Sequence, residues 1–547
     1  MKAIALLIVL AECFRRGDSQ FPRVCTNDAA LDRKECCPVP PGFTEPCGGT
    51  GRGHCADIPD LVVEDVHWKD AYHVDDRRHW PTVFFNRTCL CEGNFSGYDC
   101  TRCSWGYRGP SCETKQQPTV RRNIRDISTK ERAKFRRYMD RAKNTVSDFV
   151  FALEFKENIK GSQDFANISV YDYFVAVHYY ASRETLPPSS TGICVEEKDC
   201  SLDFAHEGAG FPTWHRAFLL EAERALQEVN GDPDWTLPYW DWSAAEQHQC
   251  DICTNEYVGT NDEHGNLDSE SIFATWRTIC EHQVPFYNDT HTNHTRPCDV
   301  TKPTGRLKRN PGHQDPNRFG PSMTRLPLAT EVDFALRFPV FDTPPYSRTS
   351  NCSFRNLLDG FADTSTGKYR GDITHEDGTL VPGAHTLHNH VHLYLNGTMS
   401  TGVITAANDP IFLLHHSNVD RLFETWIRRH GTADSAQPER GAPPGHNRHE
   451  YMVPFFPPYS HADMFKPSTE LGYDYQELHG QGKHKESDMG ECSAAWPGRL
   501  EFWGSAGVLL FFVVVCLLTT ACSRLTSPKT RGPVQPALSQ PLLEDVR

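Results

Sequence analysis

The chain has 547 residues, of which 38% are hydrophobic and 11% aromatic, enough for three or four domains and too apolar for a disordered chain. A formal net charge of −15 excludes a nucleic-acid-backbone binder, which needs a basic face. Ten of the 21 cysteines fall between Cys25 and Cys112, a density that belongs to a disulfide framework in an oxidising lumen rather than to a reduced cytosol.

Residues 1–19 read as a signal peptide: one early Lys, then an apolar run from Ala3 to Ala11. Gly17 and Ser19 stand at −3 and −1 of a cut before Gln20, with Arg15 and Arg16 just upstream. Residues 20–113 form a cysteine-rich module. In its second half Cys89, Cys91, Cys100, Cys103 and Cys112 alternate with Gly97, Gly106 and Gly109, which resembles the laminin-type EGF-like pattern. Residues 114–160 are expected to form a helical linker. Phe135, Tyr138, Met139, Ala142, Val146 and Phe149 recur at helical spacing, and Arg and Lys fill the opposite, solvated face. Residues 161–465 carry the chemistry. A polar stalk is expected over 466–501.

Residues 502–522 contain no charge and would span ~31 Å as a helix, the thickness of a bilayer core. Arg524, Lys529 and Arg531 follow, so 523–547 is expected to be a cytoplasmic tail of a type I membrane protein. The N-x-S/T acceptors Asn86, Asn94, Asn167, Asn288, Asn293, Asn351 and Asn396 all precede the span, in agreement with that topology.

Histidine placement carries the functional argument. His178 sits inside the apolar, aromatic segment Tyr171–Ser182. His206 follows Phe204-Ala205, and His215 opens a helix with Phe218, Ala222, Ala225, Leu226 and Val229 on its apolar positions. These three histidines can form one trio. His388 and His392 are i and i+4, so a helix turns both rings to one face ~6 Å apart. His390, between them, is expected to point away, towards solvent. A further helix is announced by Asn408-Asp409-Pro410. It carries Phe412, His415, His416 and Asp420, and either adjacent histidine can complete a second trio. No carboxylate accompanies either trio. Six neutral imidazoles suit copper, zinc or nickel, and two copper ions facing each other can bind O2. A single zinc with three histidines and a water is the competing reading for each trio.

The segments HYYAS (178–182), FAHE (204–207), PTWHRAFLLEAE (212–223), PYWDW (238–242), CDICTNEY (250–257), FRNLLDGF (354–361), HNHVHLYLNGTMS (388–400) and NDPIFLLHHSNVDRLFETW (408–426) closely resemble the tyrosinase family of type-3 copper proteins, in its vertebrate-like membrane form. The cysteine module, sequons, span and tail stand in the same order as in that family. The resemblance implies a mainly α fold: a type-3 copper domain with a central four-helix bundle, an EGF-like module before it and one transmembrane helix after it. It implies one copper on His178, His206 and His215, and a second on His388, His392 and His416, with O2 as co-substrate. The His415-His416 pair resembles the true copper oxidases more than the zinc-bearing relatives. The resemblance also matches Asn389 to an Asn that holds a proton-accepting water with a Glu. Asp359 stands at the Glu position, one methylene shorter, which bears on monophenol hydroxylation more than on catechol oxidation. Asp420, one turn beyond His416, is expected behind the imidazoles, and Phe412, one turn before it, in the pocket wall.

The implied activity is oxidation of tyrosine and DOPA to o-quinones, initiating melanin synthesis in a melanosome or related endolysosomal organelle. Alternatives are a catechol oxidase without monophenol hydroxylation and a zinc-bearing relative such as a dopachrome tautomerase. A haemocyanin-like O2 carrier fits the anchor and module poorly. The implied partners are a small phenol, the membrane, and proteins contacting the cysteine-rich module. Leu542-Leu543 in the tail suggests a sorting signal, although Leu538 occupies the place where an acidic residue is common.

Overall fold

The computed structural model describes residues 20–480 and Cys492, apart from internal segments of which the longer are 62–76, 155–163, 184–201, 287–293, 314–323 and 375–379. Among the described residues no helix is long and apolar enough to cross a membrane. The expected signal peptide, span and tail lie outside the described residues, as do Asn288 and Asn293.

The body opens on strand β1 (Gln20–Pro22). The cysteine-rich module then builds a small sheet from β2 (Glu35–Cys36), β3 (Gly53–Asp57) and β4 (Arg87–Cys91), with β4 between the other two. Such short strands cannot bury a core of their own, and cystines replace it. The bridges are Cys25–Cys36, Cys37–Cys55, Cys47–Cys89, Cys91–Cys100 and Cys103–Cys112, with Cys250–Cys253 and Cys280–Cys298 further along the chain. The last two bridges of the module each join cysteines with eight residues between them.

Of residues 114–160, expected to be helical, 15 form a helix. After β5 (Thr119–Arg121), helix α1 (Thr129–Lys143) starts at a capping box in which Ser128 and Glu131 cap each other, and it buries Phe135, Met139 and Ala142. Val146 and Phe149 do not continue it. They lie on β6 (Val146–Glu154), the middle strand between β1 and β7 (Asp164–Ser169). Asn144 ends the helix, and the Val-rich, Phe-rich stretch after it suits a half-buried strand better than another turn.

Five helices carry the histidines or frame them. Helix α2 (Val170–Ser182) begins where Ser169 accepts the amide of Asp172. Helix α3 (Phe211–Asn230) has Pro212 in its first turn and ends at Gly231 in the left-handed region. The short α4 (Phe354–Asp359), which follows it, is closed by Gly360 at φ 115°. Helix α5 (Leu387–Leu395) and the long α6 (Ile411–His430) complete the set. Helices α2, α3, α5 and α6 pack around the histidines, and α6 has no polar face to spare: residues 411–427 are all buried.

The last described elements are α7 (His461–Met464) and β8 (Tyr473–Tyr475). The expected stalk is corrected here. Strand β8 pairs in parallel with β5, and Tyr473 and Tyr475 are buried. Alternation on a strand turns both phenols inwards, where Asp420 accepts their hydroxyls, so residues 466–480 belong to the body.

Candidate metal centre

The histidines converge in two groups. Nitrogens of His178, His206 and His215 lie within 4.8 Å of one another, and so do nitrogens of His388, His392, His415 and His416. The groups face each other: His215 stacks on His416 with centroids 4.2 Å apart, and His206 on His388 at 5.9 Å. Helix α2 delivers His178, the loop after it His206, and α3 His215. Helix α5 delivers His388 and His392, one turn apart, and α6 the adjacent pair.

The second ring nitrogen decides what each imidazole offers. His215 donates Nδ1–H to the Phe211 carbonyl, His388 to that of Asp359 and His392 to that of Met399, each at 3.0 Å. His206 turns Nδ1 to the Asp203 carboxylate at 3.1 Å. These partners fix the tautomer and leave Nε2 with its lone pair. Nε2 of His178, His215 and His388 is buried with no hydrogen-bond partner among the described residues, and those of His392 and His416 point at each other across 3.2 Å. Burial pushes His178, His215, His388, His415 and His416 far below the ordinary histidine range and His392 down to about 3, so these rings are neutral. For His206 burial acts in the same direction, but Asp203 outweighs it and the ring is raised. Buried, neutral, inward-facing nitrogens without partners fit soft or borderline divalent metals and do not fit a hydrogen-bonded polar core.

Phe412 packs between the two groups, with its ring 4.9 Å from His178 and 4.0 Å from His416. Phe211 lies 4.8 Å from His388 and 4.9 Å from His215. His415 stacks on His388 at 5.3 Å and lies 6.2 Å from Trp242.

Asp359 is fully buried and is neither a surface nor a capping carboxylate. Its Oδ2 accepts the amide of Glu207 at 3.0 Å and lies 3.5 Å from Arg355. Its Oδ1 lies 3.7 Å from His388 Nδ1 and has no hydrogen-bond partner among the described residues. Burial raises the carboxyl to about 6 against the pull of Arg355. Asn389 packs against the next residue: a Cβ added at Gly360 would stand 2.8 Å from Asn389 Cβ. The two residues are thus neighbours through Gly360, while the Asp359 carboxylate faces Glu207, Arg355 and His388. Glu207 itself holds φ 61°, and the Asp359 bond pins that strained backbone beside His206.

His390 is corrected from solvent-facing to buried, at 3% exposure. Burial lowers it to about 4. Helix α5 is covered on both sides, so the face away from the metal group also has neighbours. Asp420 does not touch an imidazole. It accepts Arg216 Nε at 2.6 Å and the two phenols of β8 at 2.6 Å each. Arg421 pairs with Asp241 instead.

No spacing in the sequence points to His446 and His461, yet both brace the first group. His446 donates from Nε2 to the Asp203 carbonyl at 2.6 Å, and its Nδ1 accepts the Gly210 amide at 3.1 Å. It thereby ties the segment holding His206 to the start of the helix holding His215. His461 joins Thr213 Oγ1 to the Gly445 carbonyl at 2.8 and 2.7 Å.

The family description "Common central domain of tyrosinase" matches residues 168–429. The chain is 41% identical to the tyrosinase of Felis catus over 96% of this chain and 93% of that protein. It is 38% identical to the 5,6-dihydroxyindole-2-carboxylic acid oxidase of Mus musculus over 99% of this chain and 94% of that protein. Among solved structures it is similar to a polyphenol oxidase from Thermothelomyces thermophila, with 17% identity and a TM-score of 0.41, covering 66% of this chain and 89% of that one.

Proposed function

Because the chain belongs to the tyrosinase family and is an oxidoreductase, we propose that it uses two copper ions and O2 to convert monophenols such as tyrosine and catechols such as DOPA to o-quinones, initiating melanin synthesis. His178, His206 and His215 would hold one copper and His388, His392 and His416 the other. One observation carries this reading: two facing groups of buried imidazoles, mostly neutral, with Nδ1 committed to protein acceptors in four rings and Nε2 turned inwards. A neutral nitrogen set adds no negative charge and tolerates both oxidation states of copper.

When bound, the copper pair supplies the activation of O2 and takes up the electrons of the phenol. The chain's own residues do the rest. Phe412 and Phe211 supply a flat apolar wall beside the rings for an aromatic substrate. A phenol with a pKa near 10 is about one part in a thousand ionised at neutral pH, so its proton must be taken. Asn389 and Asp359 are proposed to hold the water that takes it, and the unpartnered Oδ1 of Asp359 supports this role. His415 packs against His388 and keeps that ring's plane.

The same nitrogen set also accepts zinc, and one similar protein is a 5,6-dihydroxyindole-2-carboxylic acid oxidase, so the later-acting alternative has an observation of its own. Metal analysis of the full chain, expressed through a secretory pathway without added metal, separates the two. About two coppers per chain is the expected result; about two zincs and no copper would replace this reading with the zinc-bearing one.

The proposed address is the lumenal side of a melanosome or related endolysosomal organelle. Residues 1–19 would serve as signal peptide and 502–522 as anchor, and the many disulfides agree with a secretory lumen.

A further inference from the structure

Strand β1 is fastened from Phe21 onwards. The Phe21 ring sits in a cluster with Phe84 at 4.9 Å, Phe85 at 5.3 Å and Trp80 at 6.1 Å. Arg23 reaches across to Asn167 Oδ1 at 2.6 Å and to the Ser147 carbonyl at 2.9 Å, and Cys25 is bridged to Cys36. Gln20 is the first residue of this strand and pairs with Phe151. In the chain with residues 1–19 still attached it is only 1% exposed, yet both Nε2 and Oε1 of its side chain are buried with no hydrogen-bond partner among the described residues. A buried amide with neither atom satisfied is rare and calls for a reason. Gly17 and Ser19 place the expected signal-peptide cut immediately before this residue. After that cut Gln20 would carry an α-ammonium as well, so a charge and an unpartnered primary amide would both enter the buried strand end.

We propose that Gln20 is the mature N-terminus and is modified by cyclisation to pyroglutamate. The free α-amine attacks Cδ of its own side chain, a C–N bond forms, the Cδ–Nε2 bond breaks, and Nε2 leaves as ammonia with a proton from the amine. No oxidant or co-reactant is needed. The product is a neutral five-membered lactam with one N–H and one C=O, in place of an ammonium, an NH2 and a C=O. It fits a buried position next to the Phe21 cluster where the open side chain finds no partner. Because the folded strand buries Gln20, cyclisation precedes the closing of β1 on β6.

The test uses the full chain secreted by eukaryotic cells. The denatured protein is treated with an amine-labelling reagent before tryptic digestion, so that no ring can form during handling. Peptide 20–23 is expected unlabelled and lighter by one ammonia. A labelled peptide starting at Gln20, or a mature start at another residue, would overturn the proposal. Protein made while glutaminyl cyclase is inhibited, and found labelled at Gln20, should melt at a lower temperature than the cyclised form. Equal melting would overturn the claim that the buried site is what the lactam fills.

Discussion

Arg216 and Asp420 meet at 2.6 Å in the buried seam between α3 and α6, one residue after His215 and one turn after His416. Around them Arg121 pairs with Glu223 at 3.0 Å, Arg216 also reaches Glu424 at 3.0 Å, and Arg428 holds the other oxygen of Glu424 at 2.7 Å. Two buried guanidiniums, Arg121 and Arg216, and the partly exposed Arg428 thus face the carboxylates of Asp420, Glu223 and Glu424. The network fixes how the two histidine-bearing helices rotate against each other, and β5 and β8 lock it from outside through Arg121, Tyr473 and Tyr475.

Breaking this pair should therefore be felt by both metal groups. Asp420→Asn keeps the shape but leaves Arg216 and Arg121 short of a charge. The expected cost is about 3–5 kcal/mol, the range for removing one partner of a buried pair. The pH dependence has a definite sign. Burial alone would raise Asp420, but Arg216 and Arg121 outweigh it and hold its carboxyl below the ordinary range. Its stabilisation is therefore complete above the unfolded carboxyl value of about 4 and is lost as pH falls through the lower folded value. Thermal melts should show the variant well below the wild type at neutral pH, with the gap narrowing only on the acid side. A gap that widened towards acid would contradict the charge argument.

His446 gives a prediction confined to one group. Replacing it with Phe removes both the link to the Asp203 carbonyl and the acceptor for the Gly210 amide, while keeping a ring in the space. Metal affinity of the group formed by His178, His206 and His215 should fall roughly 10- to 100-fold, as for other residues that orient a metal's histidines. The facing group should keep its metal. Chelator competition followed by metal analysis would then show half-loaded protein. His446→Gln, which can still donate at the Nε2 position, should recover part of the loss. Equal loss from both groups would mean that His446 only supports the fold.

The elements that sequence could reveal are those whose signal is local. His388 and His392 advertise themselves by spacing one turn apart, Asn408-Asp409-Pro410 announces α6, and the cysteine spacing from Cys89 to Cys112 announces a disulfide module but not its pairing. Strand and helix part company at Val146 and Phe149 because their spacing fits a helix while their β-branched and aromatic neighbours fit a strand, and the sheet with β1 and β7 decides. His446, His461 and Arg216 carry no such mark. Each acts on a partner more than 200 residues away, through one or two hydrogen bonds, and no period in the chain encodes that. Asp420 could be placed beside His416 by spacing, but its partners could not. The inward turn of Tyr473 and Tyr475 depends on that same carboxylate.

Glycosylation should follow exposure at the sequons. Asn86, Asn167 and Asn351 are exposed. Asn94 instead donates its Nδ2 to the Cys112 carbonyl at 3.1 Å and Asn396 to the His313 carbonyl at 3.0 Å. A nitrogen committed in this way must break its bond to carry a sugar. Glycopeptide mapping of the secreted protein is expected to find Asn86 and Asn351 more fully occupied than Asn94 and Asn396. The reverse order would show that the transfer precedes these local folds.

Asp359 separates proton transfer from positioning. Its Oδ2 grips the Glu207 amide, and its main-chain carbonyl, which no side-chain substitution removes, holds His388 Nδ1. Asp359→Asn keeps an acceptor for Glu207 and removes the base. Tyrosine hydroxylation should fall by about 100-fold or more, the usual share of a positioned proton acceptor, whereas DOPA oxidation, which starts from a more acidic and bidentate substrate, should fall far less. The ratio of the two rates on the same copper-loaded sample is the measurement. Asp359→Glu restores the longer carboxylate of the resembling family, but it adds a methylene to a fully buried site. It should lower stability by about 1–3 kcal/mol without raising the ratio unless the pocket repacks. If both rates drop together and copper is lost with them, Asp359 serves His388 alone and the proton must leave by another route.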